Sequence, residues 1–174
     1  MKFELQKKYQ GDPGSKGLPK GYPVPPGDDD LLFYIQRNQN HDTIVYKLNR
    51  TPDGLINKDL PMHAYWIKYS EGGVSRELNQ LQSKLAFGYE SSEISVDLYS
   101  FKFVSYKDLT FYIARKSDSD QYRVIVKINN KRMWLHNIYA YAVEFGVFPD
   151  VKFIEFYGED PITGIPMFDK ITLS

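Results

Sequence analysis

One stretch restricts the fold more than any other. Between Ala64 and Gly88 an aromatic strand runs into the only convincing helical pattern of the chain, and nearly everything else with a pattern reads as strand. Ala64-Tyr-Trp-Ile-Lys-Tyr69 is rich in residues that suit a pleated surface, and Ser70-Glu-Gly-Gly73 is a turn. Beyond it, Val74, Leu78, Leu81 and Leu85 recur at spacings of four, three and four, which aligns them on one stripe of a helix. Ser75 is placed to cap the N-terminus, Glu77 to meet the positive end of the dipole, Lys84 the negative end, and Gly88 to stop the helix. The spacing predicts a helix near residues 75–87. With no second helix to pack on, its apolar stripe has to cover part of a β framework.

The remaining chain supplies that framework. Residues 1–30 hold five of the ten prolines and five of the twelve glycines, and read as an extended leader or linker. Pro23-Val-Pro-Pro26 has PxxP spacing, and Asp28-Asp-Asp30 marks the boundary. From Leu31 the texture changes. Leu31, Phe33, Ile35 and Arg37 share one face of a strand, and Ile44, Tyr46 and Leu48 align on the next. Thr51-Pro-Asp-Gly54 is a turn by its chemistry. Between Glu93 and Tyr106 the apolar parity switches from Ile94, Val96 and Leu98 to Tyr99, Phe101 and Phe103, which implies a bulge, a bend or a strand shared by two sheets. Leu109, Phe111 and Ile113 are answered by Tyr122, Val124, Val126 and Ile128, and Asn129-Asn130 is a tight hairpin turn. Tyr139, Tyr141, Val143, Phe145 and Val147 alternate, and Val151–Tyr157 is the last strand before a turn-rich tail.

The expected fold is all-β with one helix. Eight to nine strands form an antiparallel meander, closed into a barrel-like sheet or folded as a two-sheet sandwich, over a single domain spanning 31–174. A chain of 174 residues suffices for one such core.

Composition removes several function classes. Twenty-two basic residues balance twenty-two acidic ones, so counterion release offers little affinity for nucleic acid, and no nucleic-acid partner is expected. The absence of cysteine excludes disulfides, thiolate catalysis and cysteine metal sites. No apolar run approaches the ~18 residues of a membrane span. The expected location is cytoplasmic for a complete chain, and periplasmic or exported if a signal peptide has been removed.

Leu32-Phe-Tyr-Ile-Gln-Arg37, His41-Asp-Thr-Ile-Val-Tyr-Lys-Leu-Asn49, Tyr65-Trp-Ile67, Glu77-Leu-Asn79 and Lys84-Leu-Ala-Phe-Gly88 resemble an uncharacterised, mainly bacterial family, the domain of unknown function numbered forty-eight thirty-three. The resemblance runs from residue 31 to about 160. It implies one compact domain and carries over no catalytic or binding residue.

The search for chemistry is mostly negative. His41, His63 and His136 are scattered, with no zinc-type spacing, and no metal or cofactor is expected. There is no nucleophile elbow and no phosphate loop; Asp97, Glu144 and Glu155 could be paired as glycosidase acids only arbitrarily. The informative positions are charges in phase with apolar neighbours. Arg37 follows Phe33 and Ile35, Arg115 follows Phe111 and Ile113, and Glu155 shares a face with Val151 and Phe153. An arginine at the mouth of an aromatic-lined β structure would orient an anionic ligand, with Tyr46, Tyr65 and Trp66 as wall. Arg37, Tyr46, Tyr65, Trp66, Arg115 and Glu155 are therefore the candidate ligand-binding residues. The first expectation is a non-catalytic binding module for a small amphiphilic ligand or peptide. The second is a protein–protein interaction or structural domain, and a hydrolase ranks last.

Overall fold

A computed structural model describes residues 21–117, 119–143 and 149–173. These form eleven strands: β1 Leu31–Arg37, β2 Thr43–Leu48, β3 Met62–Lys68, β4 Val74–Glu77, β5 Tyr89–Ser95, β6 Leu98–Phe103, β7 Tyr106–Arg115, β8 Tyr122–Ile128, β9 Lys131–Val143, β10 Asp150–Glu159 and β11 Pro166–Thr172. One α-helix, α1, spans Gln80–Leu85.

Two meanders, β1–β4 and β5–β8, act as wings on a spine of β9, β10 and β11. The thirteen residues of β9 organise this arrangement. Along one edge its first turn-proximal residues, 131–134, pair antiparallel with β8, and residues 137–140 pair with β1. Its other edge is taken by β10 from Trp134 to Val143. One strand thus feeds two wings, and the sheet curls into a half-barrel. The expected all-β, barrel-like architecture is the one observed. It departs from a pure meander at one seam, because β1 and β9 run parallel.

The extra strands have local causes. Val74–Glu77, expected as the first turn of the helix, pairs with β3 instead, with Val74 opposite Lys68 and Glu77 opposite Tyr65. The helix begins later, where the Asn79 side chain accepts from the Gln82 N–H and the Gln82 side chain accepts from the Asn79 N–H, a reciprocal capping box. Gly88 is required by close approach: a Cβ there would stand 1.7 Å from the Ser83 carbonyl oxygen. The parity switch near Leu98 is a hairpin between β5 and β6, with Asp97 at φ 63° and a register shift at Glu93/Ser95. Asn129 and Asn130, at φ 49° and 65°, make the expected tight turn into β9. The tail adds β11 along β10.

The wings meet at a ladder of rings. Tyr46 stacks on Phe33 at 4.5 Å, Phe33 lies 6.1 Å from Phe101, and Phe101 is 5.0 Å from Phe111, all near-parallel; Phe103 stands edge-on to each of the four. Each such pair adds about 0.5–1.5 kcal/mol beyond simple burial. Of the leader expected over 1–30, residues 1–20 lie outside the described residues. Residues 21–30 run against the domain, where the Tyr22 hydroxyl donates to the Arg37 carbonyl at 2.8 Å, Asp28 pairs with Lys47, and Asp30 accepts from Arg50 at 3.1 Å.

Candidate functional site

Residues paired across neighbouring strands point to the same face of a sheet. The pairings Ile35–Ile138–Phe156 and Arg37–Ala140–Ile154 therefore set two rows on the inner face of β1, β9 and β10. The second row is the unusual one, since its middle member is an alanine. Ala142, paired with Val151, continues the small-residue track. Across from it stand Phe103, Leu109 and Phe111 of the other wing, and α1 closes over the top with Leu81 and Leu85. Two layers held apart over alanines enclose a cavity of about 360 Å³. Its walls are apolar over most of their extent, and its size falls in the range of small-molecule sites.

The helix is fastened to both wings. From the β1–β4 wing, Trp66 donates its indole N–H to Gln82 Oε1 at 3.1 Å and the Tyr46 hydroxyl donates to the Phe87 carbonyl at 2.7 Å. From the other wing, Ser105 Oγ donates to the Ala86 carbonyl at 2.7 Å and the Val104 N–H to the Gly88 carbonyl at 2.9 Å. The segment bridges the gap that the cavity occupies. Leu81 and Leu85 nevertheless stay about half exposed, at 50% and 49%, so the cavity opens beside them.

One end of the cavity is polar. Arg37 lies with its guanidinium carbon 4.7 Å from the Trp66 ring centroid, and Lys68 Nζ is 4.2 Å from the same centroid. Arg37 Nη2 donates to Asn40 Oδ1 at 2.8 Å, whereas Arg37 Nε and the neighbouring Gln39 Oε1 are sealed from water without a hydrogen-bond partner. Burial pushes Arg37 below its ordinary value, and the nearby Asp42 and Tyr22 pull it back; an arginine stays protonated under such a shift. Asp42 is itself buried. Burial would raise its carboxyl, but the N–H and hydroxyl of Ser70, at 2.9 and 2.8 Å, together with Lys68 and Arg37, hold it below the usual range.

The six sequence-derived residues separate in space. Arg37 lines the cavity. Trp66 supports Arg37 from below, and Tyr46 sits one layer back, 5.7 Å from Phe103. Tyr65, next to Trp66 on a strand, faces the opposite side and packs with Tyr34, Val45 and Ile67. Arg115 is at the outer end of β7, 3.8 Å from Asp97 and 3.9 Å from Asp120. Glu155 is 1% exposed on the far face of the spine, where it accepts from the Tyr157 hydroxyl at 2.9 Å. The residues that sequence reasoning missed are Gln39, Ala140 and Ala142; the in-phase small residues Ala140 and Ala142 on a long strand were the one available signal.

Two histidines reach carboxylates, His63 with Glu77 at 2.7 Å and His136 with Glu159 at 3.3 Å, and neither lines the cavity. Glu144 lies outside the described residues. Among the described residues no three His, Asp or Glu side chains converge as a metal site requires, and no helix is long and apolar enough to cross a membrane.

No curated protein and no solved structure matches this chain. A family model does, over residues 33–170, which is most of the β domain just described. The chain belongs to the family described as Domain of unknown function (DUF4833).

Proposed function

We propose that this domain is a non-catalytic binding module whose ligand is a small amphiphile held between the two wings. The observation that carries the reading is the cavity of about 360 Å³, apolar along its length and polar at the Arg37 end. A wholly apolar void would be explained by imperfect packing alone, but one that ends on a half-buried arginine and a half-buried glutamine, each with a buried polar atom lacking a partner, has the polarity of a ligand with a tail and a head. Small-residue positions on β9 support this, because alanines at 140 and 142 leave unfilled volume that leucine or valine would have taken. The half-exposed Leu81 and Leu85 provide the way in.

Nile red, a neutral dye whose emission rises in apolar surroundings, tests the cavity without reference to its head group. The dye is expected to bind the protein with one site, and Ala140→Leu is expected to weaken that binding at least about tenfold, the effect of losing roughly 1.4 kcal/mol. Because Ala140 faces open volume, the same variant is expected to keep the melting temperature of the parent. Equal dye binding by parent and variant would refute the reading.

A further inference from the structure

Resting on that reading, we infer that the occupant is a monocarboxylate with an apolar tail, its carboxylate at the Arg37–Gln39 end of the cavity and its tail between α1 and the spine. Elimination identifies the head-group end. Among the other polar lining residues, Gln82 spends its carbonyl oxygen on the Trp66 indole and the Asn79 N–H, Ser105 spends its hydroxyl on the Ala86 carbonyl, and Tyr106 has no buried polar atom left unsatisfied. Arg37 and Gln39 are the ones left with buried polar atoms that nothing satisfies. A buried donor or acceptor without a partner is costly, and a ligand group reaching this end would relieve that cost. The side-chain amide of Gln39 presents either its oxygen or its NH₂ to such a group after a half-turn about its last bond.

Charge decides the class. The cluster around Trp66 holds two cations, Arg37 and Lys68, and one carboxylate, Asp42, which is 3.6 Å from Lys68 and already engaged by Ser70. Among the described residues one positive charge is left over, next to an apolar chamber in which Arg37 is the one formally charged lining residue. A single negative charge balances it, and a planar carboxylate also matches the guanidinium fork. A dianionic phosphate would bring a second charge that nothing in the chamber compensates.

The experiment compares dodecanoate, dodecanol and dodecyl phosphate at pH 8 on the full chain, with Nile red displacement as the readout. Dodecanoate is expected to bind at least about tenfold more tightly than dodecanol, the scale of one charge-assisted contact. Arg37→Met is expected to remove that preference while dye binding persists, and Arg37→Lys to restore part of it. The preference on the parent protein is read without any variant, so a poorly folded Arg37→Met does not compromise the test. Dodecanol binding as well as dodecanoate, or dodecyl phosphate binding more tightly than both, overturns the carboxylate assignment and leaves the cavity reading intact. Failure of all three ligands and of Nile red overturns both.

Discussion

The two faces of the sheet over β1, β9 and β10 make an instructive pair, because they are built from the same three strands one residue out of phase. The inner rows are Ile35–Ile138–Phe156 and Arg37–Ala140–Ile154; the outer rows are Tyr34–Asn137–Tyr157 and Gln36–Tyr139–Glu155. Both outer rows and the first inner row are buried, whereas the second inner row, Arg37, Ala140 and Ile154, is half-buried. The outer face is filled by large side chains that carry polar tips, with Tyr22, Tyr141, Phe153 and Phe168 packed around them. The inner one narrows to an alanine where the outer one has a tyrosine, and that difference in volume reappears as the cavity. The packed outer face is thus closed along both rows, and the inner face, which carries the cavity, along one. What separates them is whether the side chains on that face are large enough to meet what lies opposite.

The sharpest way to strain this contrast is to truncate one residue of each face at adjacent positions. Phe156 is 1% exposed on the inner face, where Phe156→Ala would extend the existing void. A loss of about 3–5 kcal/mol is expected by urea titration, since a ring is removed from a region that already lacks the atoms to collapse inward. Next along the strand, Tyr157→Phe keeps the ring on the outer face and removes only the hydroxyl that donates to Glu155. About 1–3 kcal/mol is expected there, and no change in Nile red binding. If Tyr157→Phe altered dye binding as much as Phe156→Ala, the two faces would not be independent and the comparison would fail.

Sequence reasoning reached some of this and not the rest, for identifiable reasons. Period-two alternation is local, so the faces of β1, β8 and β10 and the in-phase position of Arg37 were visible from the residues themselves. On β9 the same alternation pointed to Tyr139 and Tyr141, whose size draws attention. Those rings mark the filled face, while Ala140 and Ala142 mark the one with room. Val74–Glu77 is too short for either period to be decisive, and pairing with β3 settles it as a strand. The parallel seam joins residues about a hundred positions apart, as in Ile35 with Ile138, and nothing within either segment records that contact. Tyr65 and Trp66 could not both belong to one wall, since neighbours on a strand face opposite ways.

The smallest expected effect tests the polar end of the inner face through its acid dependence. Asp42 has a carboxyl held below its ordinary value of 3.8, the bonds from Ser70 and the charges of Lys68 and Arg37 outweighing the opposing effect of burial. A carboxyl with a folded value below its unfolded one releases its proton more readily when the protein is folded. Its contribution to stability is then fully present above the unfolded value and is lost as pH falls through the folded one. The parent is accordingly expected to lose stability as pH drops from about 5 through the interval below 3.8, with Asp42 supplying part of the slope. In Asp42→Asn the group cannot titrate, so that part of the slope should vanish while the rest, from other carboxyls such as Asp28, persists. Urea titrations of both proteins at pH 7, 5, 4 and 3 measure the difference directly. Parallel curves at every pH would mean that Asp42 is not held by its neighbours, and the cluster beneath Arg37 would lose the fixed charge balance assigned to it.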